Sequence, residues 1–291
     1  DPLNFRSQAV ARRNGMVEEK LTMHRGTDAL VFRTARTPLS LAADRMDLRK
    51  NTLFNLALYT SVTIVAIAAQ VLERHQLEYT SKPLMMLVLS SWFFFNSRRV
   101  GDRFTLLIQV GLFFSLIGDV VLMFQHLDEF TFVIGLAAFL LAHLCYTIAF
   151  AMNVFEQPGG EGALVATLLA VAVLVPGVLF LLEVLNGRGV DDGLLLPVVL
   201  YTVAITCMAV FAALRFRKTY IRSFWMVYAG AVLFMASDAL LANKKFDLRP
   251  FDLGQIWIMV SYAAGQFLIA AGCLLHVLDP ETIRRRNALS A

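Results

Sequence analysis

Apolar residues gather into eight continuous runs after residue 50, and each is near the length that crosses the hydrocarbon core of a bilayer. The runs are 54–72, 79–95, 104–124, 130–152, 163–182, 194–214, 224–241 and 256–277. They are continuous rather than alternating, which predicts helices and not the strands of a closed barrel. The second run is the weakest, because Lys82 and Pro83 interrupt its start. Pro83 there suits a first helical turn. The pattern predicts an all-α membrane protein with eight transmembrane helices over residues 51–280. A basic tail, 1–50, precedes them and a second, 281–291, follows.

Composition agrees and closes the alternatives. Hydrophobic residues make up 58% of the 291 and charged residues 16%, where soluble domains run near half and a quarter. Mean hydropathy is +0.64. Such a chain is too apolar for disorder. Three cysteines and 17 unperiodic glycines exclude a disulfide scaffold and collagen. Cys145, Cys207 and Cys273 all fall inside apolar runs and read as buried small hydrophobes.

Charge sets the expected orientation. An even number of spans puts both termini on one side. That side collects 20 of the 26 lysines and arginines, ten of them in the first 50 residues, and the other side six. The bias places both termini in the cytosol. The first tail carries Arg12, Arg13, Glu18 and Glu19 and a mildly apolar patch at 29–32. It reads as a cytosolic tail with one interfacial helix near anionic headgroups, not as a nucleic-acid-binding arm. It lacks the long apolar core of a signal peptide. The chain begins at Asp1 rather than Met, the sign of a processed or trimmed start.

Ionisable residues inside a span are costly and so are candidates for function. Asp119 lies about 22 Å along the third run, in the non-cytosolic half of the bilayer, and Asp238 reaches about the same depth on the seventh. Lys82, Tyr201, Tyr262 and Gln266 fall in the opening turns of runs that enter from that side. His143 and Tyr146 share a face of the fourth run, nearer the midplane. Polar side chains on six runs thus converge at one end. Gly111, Ser115 and Gly118 make a small-residue face beside Asp119, as Gly230 and Ser237 do beside Asp238, allowing close helix approach. The fifth run has little polar besides Thr167 and is expected to pack peripherally.

A duplication is also legible. GLFFSLIGD (111–119) aligns with GAVLFMASD (230–238) at an offset of 119 residues. The same offset carries Lys82 to Tyr201, Gly135 to Gly254 and His143 to Tyr262. The eight spans then read as two parallel four-helix repeats about an axis along the membrane normal.

Each of these residues also has a structural reading. The aspartates could be paired with Lys82 or capped by hydroxyls, Lys82 could snorkel to the interface, and His143 could be a hydrogen-bonded core residue. No metal or other cofactor is expected. Of five histidines only His143 joins the convergent region, and zinc sites usually take more nitrogen or sulfur. No phosphate-cradling glycine loop, nucleophile elbow or dinucleotide fingerprint is present.

Two carboxyls in a partly dry pocket can divide acid and base roles between them. That suits hydrolysis through an oxocarbenium-like cation or an intramembrane aspartyl protease, and polar residues at such depth also occur in transporters and proton conduits. A pocket opening toward one leaflet favours a single-chain amphiphile.

Five stretches carry a family resemblance. They are SKPLM (81–85), FSLIGDVVLM (114–123), GLAAFLLAHLCYTIAF (135–150), GAVLFMASDALLANKKF (230–246) and SYAAGQFLIA (261–270). In this order they resemble the lysoplasmalogenase family, the YhhN-type multi-pass membrane hydrolases. The resemblance implies cleavage of the vinyl-ether bond of lysoplasmalogen, giving a fatty aldehyde and a glycerophospho-ethanolamine or -choline. The implied substrate is a lysophospholipid among membrane lipids, with no nucleic acid. It also implies that the paired catalytic aspartates are Asp119 and Asp238, with Lys82, His143, Tyr146, Asn243, Tyr262 and Gln266 at the family's other polar positions. Tyr201 joins them as expected pocket lining. The basic tail departs from the usual pattern, and SYAAGQ lacks a second tyrosine that often follows the first. The LIGD of 116–119 stands where presenilin-like proteases have GxGD, and no PAL element is found near the C-terminus.

Overall fold

A computed structural model describes residues 16–24, 27–34, 48–97, 102–125, 128–156, 162–186, 192–246 and 254–279. The chain divides into two units, Asp1–Asn51 and Thr52–Ala291. In the first, strands β1 (Met16–His24) and β2 (Thr27–Thr34) pair antiparallel, with a register irregularity between Glu18 and Lys20. The interfacial helix expected in this segment is therefore corrected to a hairpin. The signals were local: only Arg25 and Gly26 separate the strands, and Val31, Phe32 and Thr34 favour extended backbone.

The second unit holds eight helices among its described residues: α1 (Thr52–Val71), α2 (His75–Ser97), α3 (Arg103–Leu122), α4 (Glu129–Phe155), α5 (Ala163–Leu185), α6 (Asp192–Leu214), α7 (Ile221–Lys245) and α8 (Gly254–Leu278). Seven are long and apolar enough to cross a membrane, and the chain is an integral membrane protein. The exception is α2, whose first half carries His75, Glu78 and Lys82. It begins at His75, so Pro83 sits two turns inside it rather than in its first turn. Asp102 and Asp128 cap α3 and α4 by accepting from the backbone N–H groups of Thr105 and Phe130. Gly162 starts α5 at φ +95°, where a side chain would be strained and would also meet Phe216.

The packing follows the small residues. Most of α8 is buried, lying along α7 and touching α1, α2 and α3. A Cβ on Gly230 would stand 2.8 Å from the Gly265 carbonyl oxygen, so only paired glycines let these two backbones approach. α3 and α4 pack through Gly111 against the Tyr146 ring and Gly118 against Phe139. α4 also packs on α6, and α6 carries α5 on one side and α7 on another. The cysteine expectation is corrected at one position: Cys273 is buried and Cys145 half-buried, but Cys207 is exposed on α6. Being apolar satisfies the lipid as well as the core.

Candidate functional site

At one end of the bundle α3 and α7 finish while α2, α4, α6 and α8 begin, and there a cavity of about 590 Å³ lies between the helices. Lys82, Asp119, Tyr201, Asp238 and Tyr262 all line it. Asp119 is three residues from the end of α3 and Asp238 seven from the end of α7. Both are therefore within about 11 Å of the same end of the bundle.

Each carboxylate terminates a chain of hydrogen-bond donors. Tyr262 donates to Asp119 Oδ2 at 2.6 Å. Gln266 Nε2 donates to the Tyr262 hydroxyl at 3.4 Å, and Tyr146 donates to Gln266 Oε1 at 3.4 Å. On the other side Tyr201 donates to Asp238 Oδ2. With that phenolic proton committed to the carboxylate, the 2.9 Å contact between His143 Nε2 and the Tyr201 oxygen requires the imidazole to be the donor. The ring's other nitrogen then faces Met208 Sδ at 3.3 Å. His143 Nε2 also lies 3.7 Å from Asp238 Oδ2. Packing fixes these groups, since His143, Tyr146 and Gln266 are wholly buried behind the cavity wall. The rings of Phe139 and Phe234 meet Tyr262 at near-perpendicular angles, and Phe234 also stacks obliquely on His143.

Of the residues expected at the site, five line the cavity, while His143 and Gln266 are hydrogen-bonded to lining tyrosines and Tyr146 to Gln266. Asn243 stands on α7 beyond Asp238 and outside the lining. Lys82 lines the cavity, and its Nζ lies 3.7 Å from Glu78 Oε1, one turn earlier on α2.

The cavity also includes residues that the sequence pattern did not mark. Lys244, Lys245, Gln125 and Gln255 ring its polar end, with Lys244 donating to Gln255 and Lys245 lying 4.9 Å over the Phe132 ring. Tyr59 of α1 donates to the Ala263 carbonyl at 2.8 Å and so braces α8 one residue from Tyr262. The fifth helix is less peripheral than expected. Its Val173, Pro176, Gly177 and Phe180 form an apolar wall, a role that a search for polar residues passes over. Among the described residues, no group of three or more His, Cys, Asp or Glu is arranged to hold a metal ion.

The YhhN family model matches residues 77–273, a stretch that holds every site residue named above except Tyr59. Similar proteins include a lysoplasmalogenase of Mycobacterium bovis, 37% identical over 141 residues, covering 48% of this chain and 50% of its own. Lysoplasmalogenase TMEM86B of Homo sapiens is 31% identical over 200 residues, covering 66% of this chain and 74% of its own. Lysoplasmalogenase TMEM86A of Bos taurus is 30% identical over 164 residues, covering 55% and 62%. The chain thus spans about half the length of the mycobacterial relatives it matches. No solved structure matches it.

Proposed function

The chain belongs to the YhhN family, and from that premise we propose that it is a lysoplasmalogenase. In this reading it hydrolyses the vinyl-ether bond of a lysoplasmalogen to a fatty aldehyde and glycerophosphoethanolamine or glycerophosphocholine. The observation that carries the reading is the cavity itself: two carboxylates, each fixed by a phenol, share one space with an apolar wall and a cationic rim.

Vinyl ethers hydrolyse by proton transfer to carbon, which needs a positioned acid. One aspartic acid gives its proton to the alkenyl carbon remote from the ether oxygen, and the resulting cation is shared between the other carbon and that oxygen. The second aspartate, ionised, stabilises the cation and takes a proton from the water that adds to it. The hemiacetal then breaks its bond to the glycerol oxygen, its hydroxyl proton passing to that oxygen, and the aldehyde leaves. Each turnover consumes one water and leaves the proton on the opposite aspartate, from which it returns before the next cycle. The donor chains behind Tyr262 and Tyr201 hold the carboxylates in place while this happens. Lys82, with Lys244 and Lys245 at the rim, supplies positive charge for the substrate phosphate. Neither His143 nor the tyrosines need form a bond to substrate.

The same reading makes the two halves parallel repeats with both termini in the cytosol. Exchanging residues by the offset of 119 turns the Asp119–Tyr262 contact into the Asp238–His143 contact. It also turns Gly111 against Tyr146 into Gly230 against Gly265, and Gly118 against Phe139 into the Ser237 hydrogen bond to the Ile258 carbonyl. The pairing of α1 with α2, α2 with α3 and α3 with α4 recurs as α5 with α6, α6 with α7 and α7 with α8.

The test is aldehyde release by purified protein from lysoplasmalogen, beside a saturated ether lipid of the same headgroup. Asp119→Asn and Asp238→Asn should each lower turnover by about a hundredfold to ten-thousandfold, with the helical circular dichroism unchanged. Turnover retained in either variant removes that residue from the mechanism. Cleavage of peptides, or lipid or proton flux without product, would favour a protease or a transporter instead.

A further inference from the structure

The cavity has a second opening, through its side. Ala172 and Pro176 of α5 and Val232, Ala236 and Ala239 of α7 line the cavity and are exposed. Val232, Ala236 and Ala239 lie on the side of α7 turned away from its buried stripe of Val227, Gly230, Phe234 and Ser237, so the space that they line reaches the side of the bundle. The topology explains the opening. α5 packs on α6 and α6 on α7, but α5 and α7 have no extended packing of their own. α6 therefore forms the floor of a cleft, presenting Thr202, Ile205 and Thr206 between the two helices. The hydroxyls on that floor are turned back to their own helix, Thr202 to the Val198 carbonyl and Thr206 to the Thr202 carbonyl, which leaves an apolar surface.

The two walls are in step. Counted back from the helix ends at Leu185 and Lys245, Pro176 and Ala236 both stand nine residues in, and Ala172 and Val232 both thirteen. The next level is closed: the Tyr228 hydroxyl donates to the Leu169 carbonyl at 3.1 Å, a bar joining α7 to α5. Tyr228 is ten residues before Asp238, so the cleft runs about 15 Å from the carboxylate to the bar. That is about half of the roughly 30 Å hydrocarbon core, the depth of one leaflet. Small side chains at Ala172, Ala236 and Ala239 keep the slot wide, and it is continuous with the aspartates.

We infer that this cleft between α5 and α7 is the lateral entry and the binding groove for the substrate's single hydrocarbon tail. The tail slides in from the surrounding leaflet between Pro176 and Ala236 and lies along α6. Its reactive head end then rests at Asp119 and Asp238, and its far end reaches the Tyr228–Leu169 bar. The phosphate stays at the cationic rim. The inference rests on the proposed lipid substrate but makes a separate claim about where the tail goes.

Two measurements test it. In the first, Val232→Trp on one wall and Ala172→Phe on the other, both about 9 Å along the groove from the level of Asp238, are assayed with a long-chain and a short-chain alkenyl glycerophospholipid. Filling the slot should lower the ratio of long-chain to short-chain kcat/KM by about tenfold or more in each variant, because only the long tail needs the blocked stretch. An unchanged ratio in both folded variants overturns the inference. In the second, a non-hydrolysable single-chain lysolipid with a diazirine near the tail end is photolysed with the unmodified full chain. Label on the α5 and α7 segments around Ala172 and Val232 or on the α6 floor beneath them, lost in Val232→Trp, supports the groove; label confined to α1, α2, α3, α4 or α8 overturns it. This arm needs no turnover, so a chain that released no aldehyde would defeat the proposed reaction while the labelling still decided the groove.

Discussion

The phenols are the residues on which the site's geometry depends most directly. Tyr262 holds Asp119 and Tyr201 holds Asp238, and each is itself held from behind, by Gln266 or by His143. A hydrogen bond to a charged group contributes about 1.5–3 kcal/mol, so Tyr262→Phe should lower kcat by about tenfold to a hundredfold and leave KM nearly unchanged. The same variant should alter the pH–rate profile, which a purely structural role for Tyr262 would not do; steady-state kinetics across pH decides. Tyr201→Phe should behave alike, and with its acceptor gone His143 is left facing Asp238 at 3.7 Å. The aspartates were legible because a carboxylate in an apolar run has few explanations. The relay behind them was not fully legible. Tyr146 and Gln266 could be placed near the site, but which phenol serves which carboxylate depends on contacts between residues 37 and 143 positions apart. Tyr59 gives no signal at all, since a lone tyrosine in a span is ordinary.

Among the elements, the helix pairs report on their glycines in opposite directions. Gly230→Ala would force a methyl to within 2.8 Å of the Gly265 carbonyl oxygen, part of a backbone that cannot rotate away. It should destabilise by about 1–3 kcal/mol and separate α7 from α8. Gly193→Ala, with nothing within 4 Å of the added carbon, should be neutral or raise stability by less than about 1 kcal/mol. Thermal unfolding of both variants in the same detergent checks the contrast. The small-residue faces at Gly111–Gly118 and Gly230–Ser237 could be found from the sequence because small residues at helical spacing mark close approach. The working face of α5 could not. Its lining is valine, proline, glycine and phenylalanine, which looks the same whether it meets lipid, protein or a substrate tail. The weakness of α2 as a span, by contrast, was legible in Lys82 and Pro83, and its polar start is what the cavity uses.

For the whole molecule, the two ends of the bundle are chemically different. The cavity and its lysines occupy one end. Near the other, Arg215 is wholly buried, donating to Asn153 at 3.0 Å and lying 5.1 Å over the Phe150 ring, while Asn153 also bonds His276. Counted from sequence, Arg215 is one more cation in a loop; in the fold it ties α4 to the end of α6, a distinction that charge counting cannot make. The orientation argument survives without it, because the remaining cations still favour the side of Arg217 and Lys218 strongly. The cavity end should then face away from the cytosol. In a background freed of Cys145, Cys207 and Cys273, a cysteine at Asn186, exposed just beyond α5, should react with a membrane-impermeant maleimide on intact cells. A cysteine at Arg217, exposed in the α6–α7 turn, should react only after permeabilisation. The reverse pattern would put the aspartates in the cytosolic half and make the cytosolic leaflet the source of substrate. Labelling of both positions on intact cells would mean a mixed orientation, which the charge bias does not permit.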